Sequence, residues 1–152
     1  MNHNYIEKLR FTLSIENLTL ENQQSPILYF GVNSINKEKE FVLSSGDNIV
    51  VFEDVVLDAG AQKLMLEVKE TNDAWSTGAF KINDLKIHGM SVGLTLFNSV
   101  YFPKYDDEFY KENKSQLSRE IKSGLYIGNR GRWEWNFESP VYDNALYKIG
   151  LW

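Results

Sequence analysis

Asn72 and Asp73 sit side by side in "TNDAWSTG", residues 71–78, and Trp75 follows two positions later. A carboxylate and a side-chain amide in a loop are oxygen donors of the kind that hard cations such as calcium accept. An Asn-Asp pair is equally a standard turn former, because both side chains bond their own backbone. Trp75 can stack on a sugar ring, anchor a protein partner, or fold back as a lid on the core. A second group of candidates crowds residues 101–110, where Tyr101, Phe102, Tyr105, Phe109 and Tyr110 are interleaved with Asp106, Asp107 and Glu108. Aromatics among acids suit a contact surface for protein or glycan, with Tyr105, Phe109 and Tyr110 as the ligand-facing candidates. The alternative is that they tie the segment down onto the domain.

Other chemistry is short of parts. Two histidines, His3 and His88, are few for a Ser-His-Asp hydrolase, and His88 reads as a residue at the end of a strand. The glycines of "GNRG" suit a hairpin turn rather than a phosphate loop. Paired carboxylates would permit glycoside hydrolysis if about 5 to 9 Å apart across a groove. Asp106, Asp107 and Glu108 are adjacent, and Glu134 and Glu138 share a strand face opposite the tryptophans, so neither set has that spacing written into the sequence. The absence of cysteine removes disulfides, thiolate zinc sites and cysteine nucleophiles.

The elements that must position these groups are strands. At 152 residues, with 43% hydrophobic and 14% aromatic side chains, the chain can bury one domain's core. Period two dominates. Leu9, Phe11, Leu13 and Ile15 fall on one side of "LRFTLSI", and Leu64, Leu66 and Val68 on one side of "AQKLMLEV". "PILYFGV", "AFKINDLKI" and "VGLTLFNSVYF" supply further strands, and "IVVFEDVVL", apolar on both faces, reads as a central strand. "INKEKE" reads as a polar turn and "LYIGNRGRWEWNF" as a hairpin, with Trp133, Trp135 and Phe137 on one face. Residues 103–123 form a long surface insertion with one or two helical turns, of a length that usually serves a function. "SPVYDNALYKIG" predicts a short C-terminal helix over 140–149, with Ser139 as N-cap, Pro140 at its first position and Gly150 as its stop. The fold expected is all-β: an antiparallel, jelly-roll-like β-sandwich in a single domain.

Two ten-residue stretches echo one another. "LSIENLTLEN" (13–22) and "FKINDLKIHG" (80–89) both carry apolar residues at positions one, three, six and eight. A period-two strand cannot slip phase without an extra residue, so each stretch predicts a β-bulge.

The phase slip also carries a resemblance. "TNDAWSTGAFKINDLKIHG" resembles the calcium-dependent xylan-binding carbohydrate-binding modules, in which a strand ends in Thr-Asn-Asp and the strand after the loop has this apolar spacing and a closing glycine. The match falls on Thr71, Asn72, Asp73, Phe80, Ile82, Leu85, Ile87 and Gly89. The loop here, residues 74–78, is shorter than in that family and holds no second acidic residue. The resemblance implies a β-sandwich without catalytic residues, in which loop oxygens such as those of Asn72 and Asp73 hold calcium that binds sugar hydroxyls. The architecture, with "WEWNFESPVY" near its end, also looks like that of small β-sandwich proteins of tailed phages. This second likeness implies a structural or adhesive role in a virion, as a decoration or tail-associated subunit.

Partners are expected to be other protein subunits, a further copy of the chain, or a polysaccharide. A net charge of −5 with scattered basic residues disfavours nucleic acid and anionic membranes. No apolar run reaches the roughly 20 residues of a spanning helix. The start "MNHNYIEKLRFTLSI" lacks the pattern of a secretory signal, which predicts a chain made in the cytoplasm.

Overall fold

Inward-facing apolar side chains alternate along strands that pair into two antiparallel sheets, stacked face to face. The structure, a computed structural model, describes residues 6–69, 77–104, 107–113, 115, 117, 120–128 and 130–139, without the side chains of 6, 7, 54, 107–109 and 139. The strands are β1 (Ile6–Asn17), β2 (Ile27–Val32), β3 (Asn36–Val42), β4 (Gly46–Asp58), β5 (Gly60–Val68) and β6 (Phe80–Ile87). They continue with β7 (Met90–Ser91), β8 (Ser99–Pro103), β9 (Ile121–Lys122), β10 (Tyr126–Ile127) and β11 (Gly131–Ser139). The first sheet runs β10-β6-β1-β4, with β7 paired to β6; the second runs β3-β2-β5-β11-β8-β9. The fold is therefore the all-β sandwich that the alternation predicts. Among the described residues, no helix is long and apolar enough to cross a membrane.

The core lies between the sheets, and its residues are those the alternation selects. Leu9, Phe11, Leu13 and Ile15 of β1 are buried, as are Leu64, Leu66 and Val68 of β5 and Trp133, Trp135 and Phe137 of β11. Aromatic pairs join the layers. Phe11 of the first sheet meets Phe137 of the second edge-on at 5.7 Å, and Phe52 of the first stacks on Phe30 of the second at 3.6 Å. Burying such side chains stabilises the fold by about 1.5–3 kcal/mol each.

The phase slip in β6 is a bulge. Ser14 pairs with Asp84 and Ile15 with Ile82, so Asn83 has no partner in β1, and Phe80, Ile82, Leu85 and Ile87 all face inward. The echo in residues 13–22 is not a second bulge. β1 ends at Asn17, whose Oδ1 accepts the Thr19 backbone N–H at 3.0 Å and turns the chain out of the sheet.

Several expectations are corrected by lateral pairing. "IVVFEDVVL" lies in β4, which is the edge of its sheet rather than a centre, and Ile49, Val51 and Val56 are exposed. "INKEKE" is not a turn: it lies largely in edge strand β3, whose charged residues leave both faces in water. In "VGLTLFNSVYF" only Ser99–Pro103 is a strand, because Gly93–Asn98 winds into a 3-10 helix. "LYIGNRGRWEWNF" is not a hairpin, since β10 pairs with β6 and β11 with β5 and β8, so the segment crosses between sheets. Gly131 makes that crossing possible: its φ is +118°, and a Cβ there would lie 2.1 Å from the Phe102 carbonyl oxygen. The insertion contains a short helix, α1 (Asp107–Asn113), as expected. The C-terminal helix expected over 140–149 lies outside the described residues.

Candidate functional site

Strand register brings the two candidate loops to one end of the sandwich. β5 ends at Val68 and β6 begins at Phe80, so the chain leaves one sheet and enters the other at that end. β8 ends at Pro103, opposite Gly131 where β11 begins, and Arg132 lies opposite Glu67. The insertion therefore leaves from the same end, since β9 returns beside Tyr101 and Val100. Between the stems of the two loops is a cleft of about 230 Å³ lined by Glu67, Val68, Phe102, Lys104, Gly131 and Arg132.

Its floor is built by alternation on the outward face of the second sheet. Arg132, Glu134 and Asn136 point away from the tryptophans, and cross-strand pairing puts Phe102 beside Arg132 on one side and Glu67 on the other. The Arg132 guanidinium lies over the Phe102 ring, 5.1 Å from its centroid. Arg132 Nε donates to Glu134 Oε2, and Lys63 Nζ lies 2.9 Å from Glu134 Oε1. Glu134 is only 4% exposed, so the two cations compensate a buried charge and hold it still. Nearby, the Lys69 ammonium lies 3.1 Å from Glu40, and that hydrogen bond and the carboxylate's charge hold it above the ordinary lysine range. The result is a guanidinium of fixed orientation between an aromatic ring and the Glu67 carboxylate. Such a set can donate to and accept from hydroxyl groups while the ring covers a C–H face.

The residues singled out from sequence are partly placed. Asn72, Asp73, Trp75 and Tyr105 lie outside the described residues; the stems that carry their loops flank the cleft. Phe109 is in α1 with its backbone alone described. Tyr110, in the same helix, is half-buried and has an interaction partner of its own. Tyr101, grouped with the insertion's aromatics, belongs to the core: it is buried, and its hydroxyl donates to the Arg130 carbonyl at 2.6 Å. Trp133, Trp135 and Phe137 are core as well.

Among the described residues, Glu134 and Glu138 are not arranged as a hydrolytic pair, and the side chains of Asp106, Asp107 and Glu108 lie outside the description. Each oxygen of Glu134 is held by a cation, and Glu138 lies two alternations further along β11. His88 is exposed just past the end of β6, as expected, in a turn with φ +51° and with its ring nitrogen 3.3 Å from the Lys8 carbonyl. For calcium, no group of three or more His, Cys, Asp or Glu gathers among the described residues. The cleft itself sets Lys104 and Arg132 beside Glu67, a poor cradle for a cation.

Sequence reasoning missed Glu67, Phe102 and Arg132 as a group. Arg132 was legible as the outward neighbour of Trp133, but nothing local shows that β11 lies between β5 and β8.

With this geometry, the chain is a β-sandwich of two antiparallel sheets. No family model and no curated protein matches the chain. Among solved structures it is similar to vCBM60, described among two families of calcium-dependent carbohydrate-binding modules linked by circular permutation. The TM-score is 0.53 over 90% of this chain and 92% of that one, at 7% identity. That likeness is one of fold.

Proposed function

We propose that this protein is a non-catalytic binding module whose ligand is a polysaccharide. It would be held at the end of the sandwich where residues 69–79 and the insertion emerge. The observation that carries this reading is the cleft between the two loop stems, where Glu67, Phe102 and Arg132 combine a carboxylate, an aromatic ring and an oriented guanidinium. Polar groups with both donor and acceptor capacity beside a ring suit a polyhydroxylated ligand. The fold shared with vCBM60 supports the same class. In this reading Trp75, Tyr105, Phe109 and Tyr110 extend the contact surface. Asn72 and Asp73 supply oxygens for calcium, with any further ligands coming from backbone carbonyls or the sugar.

Isothermal titration calorimetry tests this directly. Calcium is added first, then xylan and other plant and bacterial polysaccharides, with and without chelator. Sugar binding whose Kd rises at least about tenfold in Arg132→Ala supports the site. No heat in any titration sinks the reading. Asp73→Ala abolishes calcium heat if the metal is held as proposed and leaves it unchanged if it is not.

A second reading is an assembly subunit, such as a virion decoration or tail-associated protein. It is favoured by the exposed Ile49, Val51 and Val56 on edge strand β4, an apolar row of the kind buried in subunit contacts.

A further inference from the structure

The larger cleft lies at the opposite end of the second sheet. The β8 ladder stops at the Trp135–Ser99 pair, whereas the β5 ladder runs on to Ser139–Gly60. Alongside Asn136 and Glu138, the place of a neighbouring strand is therefore taken by the 3-10 helix Gly93–Asn98 and its exit. This leaves a notch of about 460 Å³, inside the roughly 300–1,000 Å³ usual for small-molecule sites and twice the volume at the other end.

The walls are held rigidly. Trp135 Nε1 donates to the Thr95 carbonyl at 2.8 Å, Ser123 Oγ to the Phe97 carbonyl at 2.7 Å, and the Ser123 N–H to the Ser99 carbonyl at 2.7 Å. On these walls Phe97 is 53% exposed although its neighbours Thr95 and Leu96 are buried. Asn98 and Asn136 each bring an amide that both donates and accepts, and Lys122 and Glu138 bring opposite charges that cancel. Ser99 lines the base of the notch, with its side chain turned inward beside Trp135.

We infer that this notch is a binding site for a short neutral oligosaccharide, independent of any metal and separate from the loop end. An open aromatic ring covers the C–H face of a sugar, and the amides of Asn98 and Asn136 take up its vicinal hydroxyls. Cancelled charge favours a neutral sugar over a uronate or an amino sugar. Because this site requires no calcium and lies at the other end of β11, calorimetric failure at the loop end leaves it standing, and the reverse holds.

The test is titration of the full ¹⁵N-labelled chain in EDTA with cellotetraose, xylotetraose, mannotetraose and maltotetraose, followed by amide shifts. At least one sugar is expected to move the amides of Asn98, Ser99, Asn136 and Glu138. Asn136→Ala and Phe97→Ala, both at exposed side chains, should each weaken that binding about tenfold, whereas Lys81→Ala on the other sheet leaves it unchanged. Unmoved spectra elsewhere confirm that the variants fold. No shift with any of the four sugars, shifts confined to the Glu67–Arg132 end, or both notch variants binding like the parent would overturn the assignment.

Discussion

Trp133 and Trp135 stand two residues apart on the inward face of β11, yet their indole nitrogens fare differently. Trp135 Nε1 donates to the Thr95 carbonyl, while Trp133 Nε1 is buried with no hydrogen-bond partner among the described residues. A made bond contributes about 1 kcal/mol, and an unmet buried donor is itself a penalty. Trp135→Phe should therefore destabilise the protein by roughly 1–2 kcal/mol more than Trp133→Phe, although both remove the same atoms. Urea unfolding of the two variants checks this; equal losses would mean that the indole of Trp133 is also satisfied. The inward position of both rings was legible from alternation, but the partner of each nitrogen was not. It depends on a carbonyl 40 residues away in a turn whose helical form the apolar pattern did not signal.

At the scale of elements, the bulge in β6 shows what spacing can encode. Phe80 and Ile82 precede Asn83; Leu85 and Ile87 follow it, and all four point inward only because Asn83 is extra. Asp84 secures the region: its Oδ1 accepts the Leu85 N–H at 2.8 Å and the Ser91 hydroxyl at 2.7 Å. Deleting Asn83 turns either half of β6 outward and should abolish the folded state, whereas Asn83→Ser, at an exposed side chain, should leave it intact. Near-ultraviolet circular dichroism distinguishes the two; a folded deletion variant would contradict the register. The same spacing in residues 13–22 has a different cause, since Asn17 uses its side chain to end the strand. Apolar spacing alone does not tell a bulge from an exit, because both relieve the alternation.

For the whole molecule, the decisive feature is which strands lie at the edges. β4 is 13 residues long, bulged beside Glu53 and Asp54 where its register with β1 shifts, and carries Ile49, Val51 and Val56 at 66%, 47% and 60% exposure. A bulge and acidic residues are devices that discourage open-ended edge pairing. Under the assembly reading, the protein sediments as a concentration-dependent oligomer and I49K/V51K sediments as a monomer. The double variant should keep the parent's unfolding free energy within about 0.5 kcal/mol per site, because neither side chain is core. A parent that is monomeric at every concentration removes that reading and leaves the polysaccharide one.

By itself the sequence determined the faces: which side chains of β1, β5, β6 and β11 turn inward, that the chain is a sandwich, and where one strand carries an extra residue. Those properties are local, because a pleated strand alternates whatever lies beside it. Only the tertiary structure decided neighbours. It put β4 and β3 at edges, sent β10 and β11 to different sheets, drew Glu67, Phe102 and Arg132 from three strands into one cleft, and opened a notch where β8 stops short of β11. Lateral pairing is made by backbone groups that every residue shares, so side-chain order along one strand carries little record of which strand lies next to it.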